Sequence, residues 1–71
     1  YFNTYPNPVQ STLNIETDLP TYRLEFTTLI GQIVIKASNP KSIDVSSIAP
    51  GIYILTVKHQ GKKSTRKIIV E

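Results

Sequence analysis

The chain has 71 residues, enough for one domain with a single modest core, and no cysteine, so neither disulfides nor thiolate metal sites can staple it. Stability must come from packed apolar side chains, and no apolar run approaches the roughly 20 residues that span a bilayer as a helix. The net charge of +3 is uneven. Residues 58–71 hold Lys58, Lys62, Lys63, Arg66 and Lys67 against Glu71 alone, a local net of +4, while residues 1–57 are slightly acidic.

In chain order, residues 1–9 are dominated by Tyr5-Pro6-Asn7-Pro8. Two prolines fix φ at two positions and push the residues before them toward extended backbone, so this is read as a stiff entry segment. The chain does not begin with Met, and Tyr1 is taken as a boundary within something longer. Thr12–Thr17 alternates, with Leu13 and Ile15 inward and Asn14 and Glu16 outward, the pattern of a half-buried strand. Pro20 closes it, because proline cannot donate to a ladder. Tyr22–Thr27 alternates again, with Tyr22, Leu24 and Phe26 inward. Gly31 supplies a turn, and Gln32–Ala37 returns with Ile33 and Ile35 inward, so the two form a hairpin.

Ser38-Asn39-Pro40-Lys41 is a turn by composition. Ser42–Ser46 is a short strand with Ile43 and Val45 inward, and Ile48 is expected to plug the core from the following connection. The segment Gly51–Lys58 is β-branched and aromatic, with Tyr53, Leu55 and Val57 on one face and Ile52 and Ile54 on the other. Apolar residues on both faces mark it as a central strand. A turn at Gly61 leads into the last strand, Ser64–Val70. Six strands are clear and a seventh is open near the N-terminus. Short strands at regular spacing, without helical periodicity, predict an all-β antiparallel β-sandwich of six to seven short strands.

Catalytic chemistry is not suggested. His59 is the sole histidine, the five carboxylates fall singly on outward or turn positions, and the three glycines cannot build a phosphate-cradling loop. No catalytic, metal or cofactor site is expected, and the chain is not read as an enzyme. The basic last hairpin suits an acidic partner or, more simply, a solvated edge whose lysines discourage sheet-to-sheet pairing. No aromatic side chain interleaves with those charges, so nucleic acid is not an expected partner.

The punctuation of the chain carries a resemblance. Tyr5-Pro6-Asn7-Pro8 before an alternating strand, a hairpin turning at Gly31, Ile43-Asp44-Val45-Ser46, Gly51-Ile52-Tyr53, and a closing Lys67-Ile68-Ile69-Val70-Glu71 occur in order. From Tyr5 to Glu71 this resembles the C-terminal sorting domains of type IX secretion (type A, the Por secretion family). Where members of that family often carry Asp and Lys around the hairpin Gly, this chain has Thr28 and Gln32.

The resemblance implies an immunoglobulin-like form of that β-sandwich and a non-catalytic address label for an upstream cargo domain. The cargo would pass through the periplasm and be taken by the outer-membrane translocon to the cell surface or medium. A sortase-like peptidase often removes the label, and no membrane insertion is implied. The expected recognition residues are Tyr5, Pro6, Asn7 and Pro8 with Lys67, Ile68, Ile69, Val70 and Glu71, the last strand being read by strand addition along its edge. Gly31, Asp44, Gly51 and Tyr53 are expected to be structural. Exposed edges also leave room for an edge-strand homodimer. The alternative is an accessory immunoglobulin-like module of a secreted hydrolase or adhesin, stabilising its neighbour or binding glycan through Tyr1, Phe2 and Tyr5.

Overall fold

A computed structural model describes residues 2–71; Tyr1, one of the three candidate glycan-platform aromatics, lies outside the described residues. Seven strands form: β1 (Phe2–Tyr5), β2 (Thr12–Thr17), β3 (Arg23–Thr28), β4 (Ile33–Ser38), β5 (Ser42–Asp44), β6 (Gly51–His59) and β7 (Lys62–Val70). They pair antiparallel into a three-stranded sheet, β1-β2-β5, and a four-stranded sheet, β4-β3-β6-β7. The alternating patterns explain why these segments are strands. Leu13 and Ile15 of β2 and Ile43 of β5 turn inward from the small sheet. They meet Leu24, Phe26, Tyr53, Leu55, Val57, Ile68 and Val70 from the large one. The sandwich and the seventh strand stand as expected, with β6 interior between β3 and β7.

Two local expectations are corrected. Residues 2–9 are more than an entry segment, because Phe2–Tyr5 pairs along β2 and Val9 is wholly buried. Ile33 also points outward. Phe26 pairs with Ile35 but Thr27 pairs with Ile33, so Val34 is an extra residue in β4. One extra residue reverses the side-chain alternation beyond it. Ile35 therefore packs against the core while Ile33 joins the outer face.

The turns are held by local chemistry. Gln60 and Gly61 both have positive φ (49° and 76°), the two-residue hairpin geometry whose twist matches the flanking strands. Asn39, also at positive φ, completes the end of β3: its Oδ1 accepts the Tyr22 N–H at 2.7 Å and its N–H donates to the Tyr22 carbonyl at 2.9 Å. The Tyr22 hydroxyl donates to the Pro40 carbonyl, and burial raises its pKa. Ile48 packs, partly buried, against the core as expected.

The sandwich is electrically two-faced. Alternation and register put Arg23, Lys36, Lys58, Lys63 and Lys67 on the outer face of the large sheet, with Glu25 as the one carboxylate there. The outward positions of the small sheet carry Glu16 and Asp44 and no lysine or arginine. The basic charge is therefore a property of a sheet face rather than of the last hairpin. Lys58 reaches Glu25 at 3.3 Å across the β3–β6 pair, whereas Arg66 turns toward the other layer and lies 5.9 Å from the Phe2 ring centre.

Candidate recognition site at the carboxyl end

Pro6 and Pro8 have no N–H, so within residues 6–9 only Asn7 and Val9 can donate from the backbone. Both of their flanking peptide bonds, Tyr5–Pro6 and Asn7–Pro8, are cis. The segment leaves β1 and runs along the outer edge of β7. There the Asn7 side-chain amide stands in for a peptide group. Its Nδ2 donates to the Lys67 carbonyl at 3.0 Å, and its Oδ1 accepts the Ile69 N–H at 3.0 Å. Val9 continues the ladder: its N–H donates to the Ile69 carbonyl and its carbonyl accepts the Glu71 N–H, each at 2.8 Å. Val9 pairs with Val70 in parallel, whereas the paired strands run antiparallel.

These contacts join the two ends of the chain's punctuation into one clasp. Its exposed parts are Tyr5, Pro6, Asn7, Pro8, Lys67, Ile69 and Glu71; Ile68 and Val70 face the core. The edge groups from Lys67 to Glu71 that strand addition would use are already bonded to Asn7 and Val9. An added strand there would have to displace the entry segment. On its inner edge, β7 pairs Val70, Ile69 and Ile68 with Gly51, Ile52 and Tyr53, so three of the motifs lie side by side.

The remaining motif residues lie in strands β5 and β6 and in the β3–β4 turn. The Tyr53 ring stacks on Phe26 (5.1 Å between centres, 16° between planes), and its hydroxyl donates to the Ala49 carbonyl at 2.6 Å. That is the back-bond of a tyrosine corner. Asp44 Oδ1 accepts the Ser46 N–H at 2.9 Å and the Ser46 hydroxyl at 2.6 Å, which hold its carboxyl below the usual carboxylate range. Gly31 has φ 89°, where any side chain would be strained, in a turn closed by Thr28 N–H to the Gln32 carbonyl at 2.9 Å. Gly51 opens β6 opposite Val70.

At the other end of the sandwich, Thr21, Arg23, Asn39, Lys58 and His59 line an open cleft. The His59 ring lies 2.5 Å, Nδ1 to oxygen, from the Thr21 carbonyl. Among the described residues no group of three His, Cys, Asp or Glu side chains could hold a metal ion, and no helix is long and apolar enough to cross a membrane. Of the candidate platform aromatics, Phe2 packs edge-on against Tyr22, and Tyr5 is exposed.

Residues 3–71 match the secretion system C-terminal sorting domain family. The chain belongs to that family. No curated protein matches it. Membership makes this a sorting domain for export to the cell surface or extracellular space, joined to an upstream cargo and served by the type IX machinery. The clasp was not legible in the sequence. Val9 is a lone apolar residue in a proline-rich stretch with no alternation around it, and Asn7 reads as turn chemistry. The one available sign was that both ends of the motif set carry identifiable punctuation.

A direct check of the clasp in this sorting domain is Asn7→Ala. It removes two hydrogen bonds while leaving the freed groups solvated, so the expected cost is about 1–2 kcal/mol. For a domain of this size each kcal/mol lowers Tm by about 4–8 °C. Thermal denaturation would show the shift, and hydrogen exchange of the Ile69 amide should accelerate with it. An unchanged melt and an unchanged Ile69 amide would mean that the clasp does not hold in solution.

Proposed function

We propose that this domain is a non-catalytic C-terminal secretion signal, directing a folded cargo from the periplasm through the type IX outer-membrane translocon. Removal of the domain at the surface by a sortase-like peptidase is often part of that route. The match of residues 3–71 to the sorting-domain family carries this reading. The translocon would read the clasp through Tyr5, Pro6, Asn7 and Pro8 together with Lys67, Ile69 and Glu71. Ile68 and Val70 would act indirectly, by holding that strand in the core. A clasp of this kind exists only when both ends of the domain are folded together. It would therefore present the machinery with a sign of a completed chain, which a linear tail could not do.

The test is export of a fluorescent reporter fused upstream of Tyr1, in a bacterium with a type IX system and in a translocon-deficient strain. Reporter outside the cell only when the translocon is present is the expected result. Folded reporter held in the periplasm of both strains would overturn the proposal and favour an accessory β-sandwich module.

A further inference from the structure

A strand solvated on one face should alternate apolar with polar residues. β6 does not. Its inward residues are Tyr53, Leu55 and Val57, yet its first two outward residues are Ile52 and Ile54, and only Thr56 and Lys58 restore the alternation. The neighbouring strands break the rule at the same end. Ile69 of β7 stands directly opposite Ile52, and Ile54 stands opposite Thr27, which in turn faces Ile33 of β4. Strands lie about 4.8 Å apart and same-face neighbours about 7 Å apart, so Ile52, Ile54 and Ile69 form one patch, and Thr27 lies between it and Ile33. Ile33, Ile52 and Ile69 are 49%, 44% and 38% exposed, and the β3–β4 turn adds Leu29 and Ile30, the latter 89% exposed. Strand propensity would favour isoleucine anywhere on this sheet, but the outward positions at the other end are Arg23, Lys36, Lys58 and Lys63.

We infer that this apolar end of the outer sheet face, with Lys67 in its midst, docks a protein surface that is apolar at its centre and acidic at its rim. The basic flank supplies the charge complementarity. It also opposes a second copy of the same face, since two such faces would set five cations and one carboxylate against their like. The described face has no Trp, Tyr or Phe, the rings that anchor proteins at a lipid interface or stack on sugars. The patch shares Lys67 and Ile69 with the clasp, so the partner would contact both. The identity of that partner as a component of the translocon rests on the sorting function proposed above.

The experiment compares the intact domain with Ile33→Thr/Ile52→Thr, two exposed residues of this apolar end outside the clasp, with Lys67→Glu and with Thr12→Ser/Ser42→Ala on the opposite sheet. Threonine keeps the β-branched strand preference, and a melt confirms that each variant is folded. Binding is read against detergent-solubilised translocon, against vesicles of phosphatidylethanolamine and phosphatidylglycerol, and by sedimentation of the domain alone. Export of the reporter fusion is scored in parallel.

The double isoleucine variant should bind the translocon about tenfold or more weakly, since an interface core concentrates its affinity in a few apolar contacts. Lys67→Glu should weaken binding most at low salt, and the opposite-face variant should match the wild type. Unchanged translocon binding by the isoleucine variant overturns the inference. So does an equal loss on the opposite face, isoleucine-dependent vesicle binding, or isoleucine-dependent dimerisation. Wild-type export with an unaffected isoleucine variant sinks this docking surface alone; wild type that neither exports nor binds removes the sorting reading and this inference together.

Discussion

Removal of Lys67–Glu71 is expected to unfold the domain, and loss of export in that truncation would follow from loss of the fold. The motif order alone suggests that the deletion erases an address while sparing the core. The structure corrects this. Ile68 is fully buried and Val70 nearly so, and Val9, also fully buried, loses both of its hydrogen-bonding partners. Burying one aliphatic side chain contributes about 1.5–3 kcal/mol, and a domain this small has a total stability near the low end of about 5–15 kcal/mol. Losing two such side chains and exposing a third exceeds that margin. Circular dichroism and limited proteolysis of the truncated domain should show an unfolded chain at 25 °C. A cooperative melt there would mean that the small sheet and the β3–β6 pairs suffice. Exposed positions such as Asn7, Ile52 and Ile69 are the ones where recognition can be probed with the fold intact.

The second large effect is Phe26→Ala. Phe26 is fully buried, pairs with Ile35 on one side and Leu55 on the other, and stacks on Tyr53. Alanine removes the ring and leaves a cavity that β-strands locked on both sides cannot collapse to fill, at a cost of about 3–5 kcal/mol. Tm should fall by more than about 12 °C, at about 4–8 °C per kcal/mol. Phe26→Leu should recover part of the loss, because it refills most of the volume. A small shift for the alanine variant, measured by thermal denaturation, would mean that the core near Tyr53 repacks freely.

The two-face charge pattern shows how far a linear reading reaches. Counting residues along the chain finds a basic last hairpin. Register then separates Lys63 and Lys67, which face outward, from Arg66, which lies over Phe2. It adds Arg23 and Lys36 from strands far away in sequence. The same holds for β6. Apolar residues on both of its faces correctly marked it as interior to a sheet, but among the described residues Ile52 stays exposed and Ile54 half-buried on the outer face. The sandwich has only two layers, so each sheet has one face without an internal partner.

The sequence by itself determined the strands and their inward faces, because period-two alternation at Leu13 and Ile15, Leu24 and Phe26, and Tyr53, Leu55 and Val57 is written between near neighbours. It determined the turns at Gly31 and Gly61 for the same reason, since positive φ is a local demand. Its ordered motifs also pointed to the family that the match over residues 3–71 shows. Only the tertiary structure decided where the edge of β7 finds its partners, which way Ile33 points and which cations share a face. The bonds from Asn7 and Val9 to Lys67, Ile69 and Glu71 cross about sixty residues. One extra residue in β4 reverses a face without altering its composition. Contacts of that kind arise from register and layer packing, and register leaves no period in the sequence that could announce it.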